Sequence, residues 1–149
     1  MSFEDENENE DEDDLPQTAL PHPPRFGFDI AMSQAPVTIH PYFKVHPGHM
    51  DACRAILPRF VERTKSEPSV LFYEFTTDGE TIFCREGYPD AASTLAHIQN
   101  VGDLLQEMGT HTDMVRLELH GPAAELAKLK EPLRDLPVAW FELLDRLEK

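Results

Sequence analysis

The sequence predicts an α+β domain, an antiparallel sheet with its helices gathered on one face. Three observations carry this. Val70 to Phe75 (VLFYEF) and Thr81 to Glu86 (TIFCRE) are β-rich runs joined through Thr77-Asp78-Gly79-Glu80, and an Asp-Gly step between such runs is a strong hairpin signal. Two further stretches, Val37 to Val45 and Met114 to His120, alternate apolar and polar residues with the period of a strand. Helical stretches lie before and after the hairpin, so the order reads β-α-β-β-α-β, the split βαβ or ferredoxin-like plan.

In Val37 to Val45 the apolar set is Val37, Ile39, Phe43 and Val45, set against Thr38, His40, Tyr42 and Lys44. Pro41 has no N–H to give a ladder, so the strand is expected at an edge or at a bulge. Pro47-Gly48 then opens a helix with Met50, Cys53, Leu57, Phe60 and Val61 on one side. Pro58 deprives the carbonyl of Arg54 of its donor, so a kink or a break is expected there. After the hairpin, Pro89 sits at the expected first helical position of a stretch that runs to Met108 and stops at Gly109, with Gly102 able to divide it. Met114 to His120 places Val115, Leu117 and Leu119 on one face and Arg116, Glu118 and His120 on the other. A short helix from Pro122 to about Lys130 and a last strand around Val138 to Leu143 complete the domain.

The chain has 149 residues, one domain's worth, with a formal net charge of −15. Nine of its 28 acidic residues precede Leu15, so the remainder carries 19 acids against 13 bases, a net of −6. Residues 1–36 read as a disordered acidic tail followed by a linker with prolines at 16, 21, 23, 24 and 36; the folded domain spans 37–149. Phe26, Phe28 and Ile30 within the linker are expected to lie across the domain surface, and the acidic tail to aid solubility. No basic stripe suits a nucleic-acid backbone, and no 18-residue apolar run suits a membrane. Two cysteines, Cys53 and Cys84, are too few for a disulfide scaffold, so a reducing, cytoplasmic setting is expected.

Helices on one face leave the other sheet face uncovered. VLFYEF and VAWFELL are apolar at both parities, whereas a solvated face alternates with polar residues. A two-fold symmetric homodimer packed sheet to sheet is therefore expected, with Trp140 or Phe141 near the interface.

At this point a family resemblance enters. The run Tyr88-Pro-Asp-Ala-Ala-Ser-Thr-Leu-Ala-His97, after Glu86 and a hairpin ending FCREGY, resembles the signature of the antibiotic biosynthesis monooxygenase-like (ABM-like) proteins. Glu67 to Phe75 resembles that family's strand after its first helix, and the likeness extends from Val37 to Leu144. It implies a dimeric α+β barrel. It also implies activities that range from cofactor-free oxygenation of quinols or anthrones to haem degradation. Haem-degrading members use an Asn on the first strand and a Trp and a His on the second helix. Here those positions fall on His40, His97 and near Glu107, so haem is disfavoured.

His97 shares a helix side with Val101, Leu104 and Met108, which should face the sheet and its pocket. A histidine there can take a phenolic proton near neutral pH, while a buried histidine satisfied by a backbone carbonyl is the plainer alternative. His97 is the first candidate base and His40 the second. Phe43, Phe72 and Trp140 are the candidate apolar walls for an aromatic substrate. His46-x-x-His49 lacks a third ligand, so no metal is expected, and no phosphate loop, dinucleotide fingerprint or Ser-His-Asp order occurs. Cys84 reads as inert packing, and Arg116 with Glu118 as a surface or interface pair. The expected activity is cofactor-independent monooxygenation of a small phenolic, quinol or polyketide-type aromatic. The rival is a non-enzymatic small-molecule-binding or stress-associated dimer of the same fold.

Overall fold

The computed structural model describes residues 35–149. The expected tail and linker lie outside them, apart from Ala35 and Pro36. Strand β1 (Val37–Val45) leads into helix α1 (Met50–Thr64), then strands β2 (Phe72–Thr77) and β3 (Thr81–Tyr88). Helices α2 (Ala91–Asn100) and α3 (Gly102–Met108) follow, then strand β4 (Thr112–Gly121), helix α4 (Ala123–Lys130) and strand β5 (Val138–Glu142). The five strands form one sheet in the order β2-β3-β1-β4-β5. This is the expected ferredoxin-like α+β fold, with one correction. The sheet is mixed rather than antiparallel throughout, because β5 returns through α4 and pairs parallel to β4; the five-stranded sheet of the single chain is open.

The hairpin forms where Asp78-Gly79 stands. Gly79 has φ +103°, a conformation costly for any side chain, and the Asp78 carboxylate accepts hydrogen bonds from the backbone N–H of Glu80 and of Thr81. Pro41, expected at an edge or a bulge, lies in the central strand beside a bulge. The β1–β3 ladder runs Ile39↔Glu86 and resumes at Tyr42↔Phe83, leaving open the step where proline has no donor. On the other side the pairing shifts from Tyr42↔Arg116 to Phe43↔Met114, so Val115 is the extra residue of the bulge.

Helix α1 is continuous through Pro58 rather than broken. Arg54 and Pro58 lie on its exposed side, where water can serve the orphaned carbonyl. Its buried face is Cys53, Ile56, Phe60 and Thr64, turned from the expected one, and Val61 is exposed. Asp90, not Pro89, starts α2, its side chain accepting from the Ser93 N–H. The long helix does divide, at Val101, the residue between α2 and α3, with Gly102 opening the second piece.

All four helices pack on the sheet face that carries Ile39, Phe43, Ile82, Leu117 and Leu119, and the core divides into two clusters. One joins Val37, Tyr88, Leu119, Leu126 and Leu129 beneath α4. The other joins Phe43, Cys53, Phe60, Ile82, Leu104 and Met108 beneath α1 and α3. The opposite face, expected to be apolar, instead mixes aromatic and charged groups. The His120 ring stacks on Phe141 with centroids 4.4 Å apart, His40 lies against Phe83 and His120, and Arg116 pairs with Glu118.

Candidate functional site

At the seam between the two clusters lies a cavity of about 70 Å³. Ile39, Phe43, Phe60, Val101, Leu117 and Leu119 form its apolar wall, and Met114 and Leu136, 41% and 42% exposed, stand at its outer end. Glu86 and His97 are the charged side chains of its lining.

Three elements bring the polar groups together. The inward parity of β3 runs Ile82, Cys84, Glu86, Tyr88, so strand geometry alone turns Glu86 toward the helices. The apolar side of α2 and α3 brings His97 over the sheet, in line with the buried Val101, Leu104 and Met108. The turn after α1 delivers Glu67. His97 Nδ1 lies 2.8 Å from Glu67 Oε2 and Nε2 lies 3.1 Å from Glu86 Oε1, with all three side chains nearly or fully buried. The Tyr88 hydroxyl donates to Glu86 Oε1 at 2.6 Å. The rings of Tyr73 and Tyr88 flank the imidazole at 5.1 and 5.0 Å.

Burial works against a charge on His97, but hydrogen bonds and attraction from Glu86, then Glu67, overcome it and hold the imidazole above its ordinary value. Burial, reinforced by Glu86, pushes the Tyr88 hydroxyl and the Cys84 thiol upward, so both stay neutral. Burial does the same to Tyr73. The result is an imidazole held toward its charged form between two acidic side chains in an apolar enclosure. Such a triad can accept, hold and return a proton at the cavity wall.

Of the expected site residues, the structure brings His97 and Phe43 to this cavity. His40 is on the opposite sheet face, with Nε2 2.9 Å from the Thr38 hydroxyl, and Phe72 is on that face too, its ring against Gly87. Trp140 faces the helices opposite Leu119 but packs in the α4 cluster, outside the cavity, with Lys130 above its ring. His46, His49 and His111 are nearer to one another than their scatter in sequence implies, with His49 Nδ1 2.9 Å from His111 Nδ1. Among the described residues no group of three or more His, Cys, Asp or Glu side chains could hold a metal ion. Glu86 and Glu67 were missed. Glu86 had a signal, a carboxylate at an inward position of an apolar strand; Glu67, thirty residues from His97, had none.

Among the described residues no helix is long and apolar enough to cross a membrane. No protein-family model and no curated protein matches the chain. Solved structures do. MupZ from Pseudomonas fluorescens is 35% identical, with a TM-score of 0.74 over 78% of this chain and 95% of that one. A protein named antibiotic biosynthesis monooxygenase is 20% identical, with a TM-score of 0.52 over 56% of this chain and 94% of its own. A conserved protein from Methanosarcina mazei Go1 is 14% identical, with a TM-score of 0.55 over 61% and 95%. The last two share the fold; the first is a relative across nearly its whole length, and the chain belongs to the antibiotic biosynthesis monooxygenase-like family.

Proposed function

We propose that the protein is a cofactor-independent monooxygenase of a small phenolic, quinol-type or polyketide-type aromatic, working as a cytoplasmic homodimer. The observation that carries the reading is the Glu86–His97 pair in the wall of an otherwise apolar cavity. Both nitrogens of His97 already face carboxylates, so the Glu86 carboxylate takes the substrate's hydroxyl proton and His97 shares the charge. The electron-rich anion left behind adds dioxygen at carbon, forming a C–O bond. The proton returns to the distal oxygen to give a hydroperoxide. Loss of the C–H proton with cleavage of the O–O bond releases water and leaves a carbonyl. One oxygen atom enters the product and the other leaves as water. The apolar wall favours the step because a dry site strengthens each electrostatic contact and protects the anion.

An aromatic ring enters past Met114 and Leu136, the exposed side chains at the cavity's outer end. Phe43 and Phe60 then wall the ring. Dimerisation sheet to sheet would cover His40, Phe83 and Phe141, and obligate interfaces of this kind bury on the order of 2,000 Å² or more. Sedimentation equilibrium at micromolar concentration is expected to show twice the 17.0 kDa chain mass, and a monomer throughout refutes the dimer.

Oxygen uptake by pure protein over a panel of hydroquinones and anthrones tests the activity. The expected outcome is stoichiometric uptake, abolished in Glu86→Gln. Saturable binding of an aromatic with no conversion decides for a non-enzymatic binding protein. Conversion without oxygen uptake would keep the proton-transfer pair and replace the oxygenation with another acid–base reaction.

A further inference from the structure

The buried triad does not end at Glu67. Glu67 Oε2 also lies 2.8 Å from Asn100 Nδ2, on the last residue of α2. That amide's orientation is settled by its other contact, the carbonyl of Arg63 at 3.3 Å, since a carbonyl only accepts and the amide nitrogen only donates. Arg63 Nη1 donates in return to the Asn100 carbonyl at 2.8 Å and to Asp103 Oδ1 at 2.8 Å. The Arg63 carbonyl is also taken by the Ser66 hydroxyl at 2.8 Å, and the Glu67 N–H donates to the Thr64 carbonyl at 3.0 Å. A continuous polar chain thus runs from an exposed ion pair, Asp103–Arg63, through Asn100 and Glu67 to His97 and Glu86 at the cavity, with Tyr88 donating to Glu86 from behind. It clamps the turn after α1 to the end of α2.

Resting on the reading that Glu86 exchanges the substrate's proton, we propose that Glu67 and Asn100 are positioning residues. They keep a proton on His97 Nδ1 and aim Nε2 at Glu86. With Oε2 held by the Asn100 amide it is an acceptor, so the imidazole must donate from Nδ1. The nitrogen left to face Glu86 is then always Nε2. Without that clamp the ring is free to satisfy either carboxylate with either nitrogen, and Glu86 loses its fixed partner. Arg63 acts one step further out, by holding Asn100. Glu67, Glu86, Tyr73 and Tyr88 are the titratable groups that face this imidazole.

The test reads the ring itself as well as turnover. Ring ¹⁵N shifts of His97 are followed against pH in the full chain and in Glu67→Gln, Asn100→Ala and Arg63→Ala. In Glu67→Gln the ring is expected to lose its second proton at lower pH, because one of its two carboxylates is gone. Above the pH at which the ring gives up its second proton, Asn100→Ala is expected to show a mixture of Nδ1–H and Nε2–H tautomers, and Arg63→Ala to follow in the same direction more weakly. Turnover in Glu67→Gln falls by about 100-fold in kcat, with KM changed far less, as for misplacement of a reacting group by about 1 Å. Glu67→Asp restores part of both readouts. Should Glu67→Gln fail to fold, Asn100→Ser at the half-buried end of the chain carries the same readout. Unchanged His97 shifts and an unchanged titration in both the Glu67 and Asn100 variants would overturn the proposal. Lack of turnover in the unaltered protein overturns the oxygenase reading instead and leaves the ring measurement to decide the clamp.

Discussion

His97 and His40 lie on opposite faces of one sheet, and burial acts on both in the same direction, against the charged form. The outcomes are opposite. His97 is held up because Glu86 and Glu67 each engage one of its nitrogens. His40 is lowered, first by burial and then by the neighbouring His120, with Glu118 and Glu86 too weak to compensate. A histidine's place in a fold therefore says little about its charge until its partners are known. The helix-covered face makes a proton-holding triad; the open face makes a stack of rings whose histidine stays neutral.

The comparison breaks most completely if His97 is removed. His97→Ala leaves two buried carboxylates close together with nothing between them. Breaking a buried charge cluster by deleting one partner costs about 3–5 kcal/mol. Chemical denaturation at neutral pH should show a loss of that size, and a loss under about 1 kcal/mol would mean that the carboxylates relax into solvent. Replacing Glu86 by Gln keeps the shape and an acceptor but removes the charge. Loss of a general base typically lowers turnover by about 10²–10⁴-fold. A Glu86→Gln variant with near-normal kcat on an accepted substrate would assign proton transfer elsewhere.

The two histidines also predict opposite limbs of a stability profile. A raised pKa means that the folded chain holds the His97 proton more tightly than the unfolded chain. Its contribution is therefore full below the ordinary histidine range and is lost as pH rises through the raised value. A lowered pKa on His40 means the reverse, with stability present above the ordinary range and lost as pH falls through the lowered value. Urea midpoints from pH 5 to 9 should fall at the alkaline end in the unaltered chain. That alkaline limb should flatten in His97→Gln, after allowing for its lower overall stability. An alkaline limb unchanged by that substitution would remove His97 as its source.

Much of this arrangement was legible before the structure. The Asp-Gly turn, the inward period of His97, Val101, Leu104 and Met108, and the stop at Gly109 are local signals, each set by a few adjacent residues, and each forms as expected. What was not legible depends on partners far along the chain. Pro41 left two choices open, an edge or a bulge, because its missing donor is visible locally, while the gap and bulge that decide between them belong to β3 and β4. The parallel placement of β5 is decided by the crossover through α4, which no alternation reveals. Trp140 and Phe141 are adjacent and opposite in facing, so the register of β5 against β4 had to be known before either could be assigned a wall. Glu67 opens the segment that resembles the family's second strand, but nothing local gives it a partner, because a turn delivers it to His97 only after α1 and α2 have packed.

The smallest effect is expected on the open face, where it tests whether neutrality there matters. His40 Nε2 has one close partner, the Thr38 hydroxyl, and its ring lies over Phe83 at 5.7 Å with planes 20° apart. Phenylalanine at this position keeps a stacked ring and deletes the titration, at the expense of one half-buried hydrogen bond. His40→Phe should therefore change stability at neutral pH by no more than about 0.5–1.5 kcal/mol, the net worth of such a bond. Below the ordinary histidine range the variant should gain on the unaltered chain, because it no longer has a proton to take up on unfolding. A His40→Phe chain that loses stability in acid as steeply as the unaltered one would show that the imidazole is already free to charge in the folded state, and the contrast between the two faces would then rest on His97 alone.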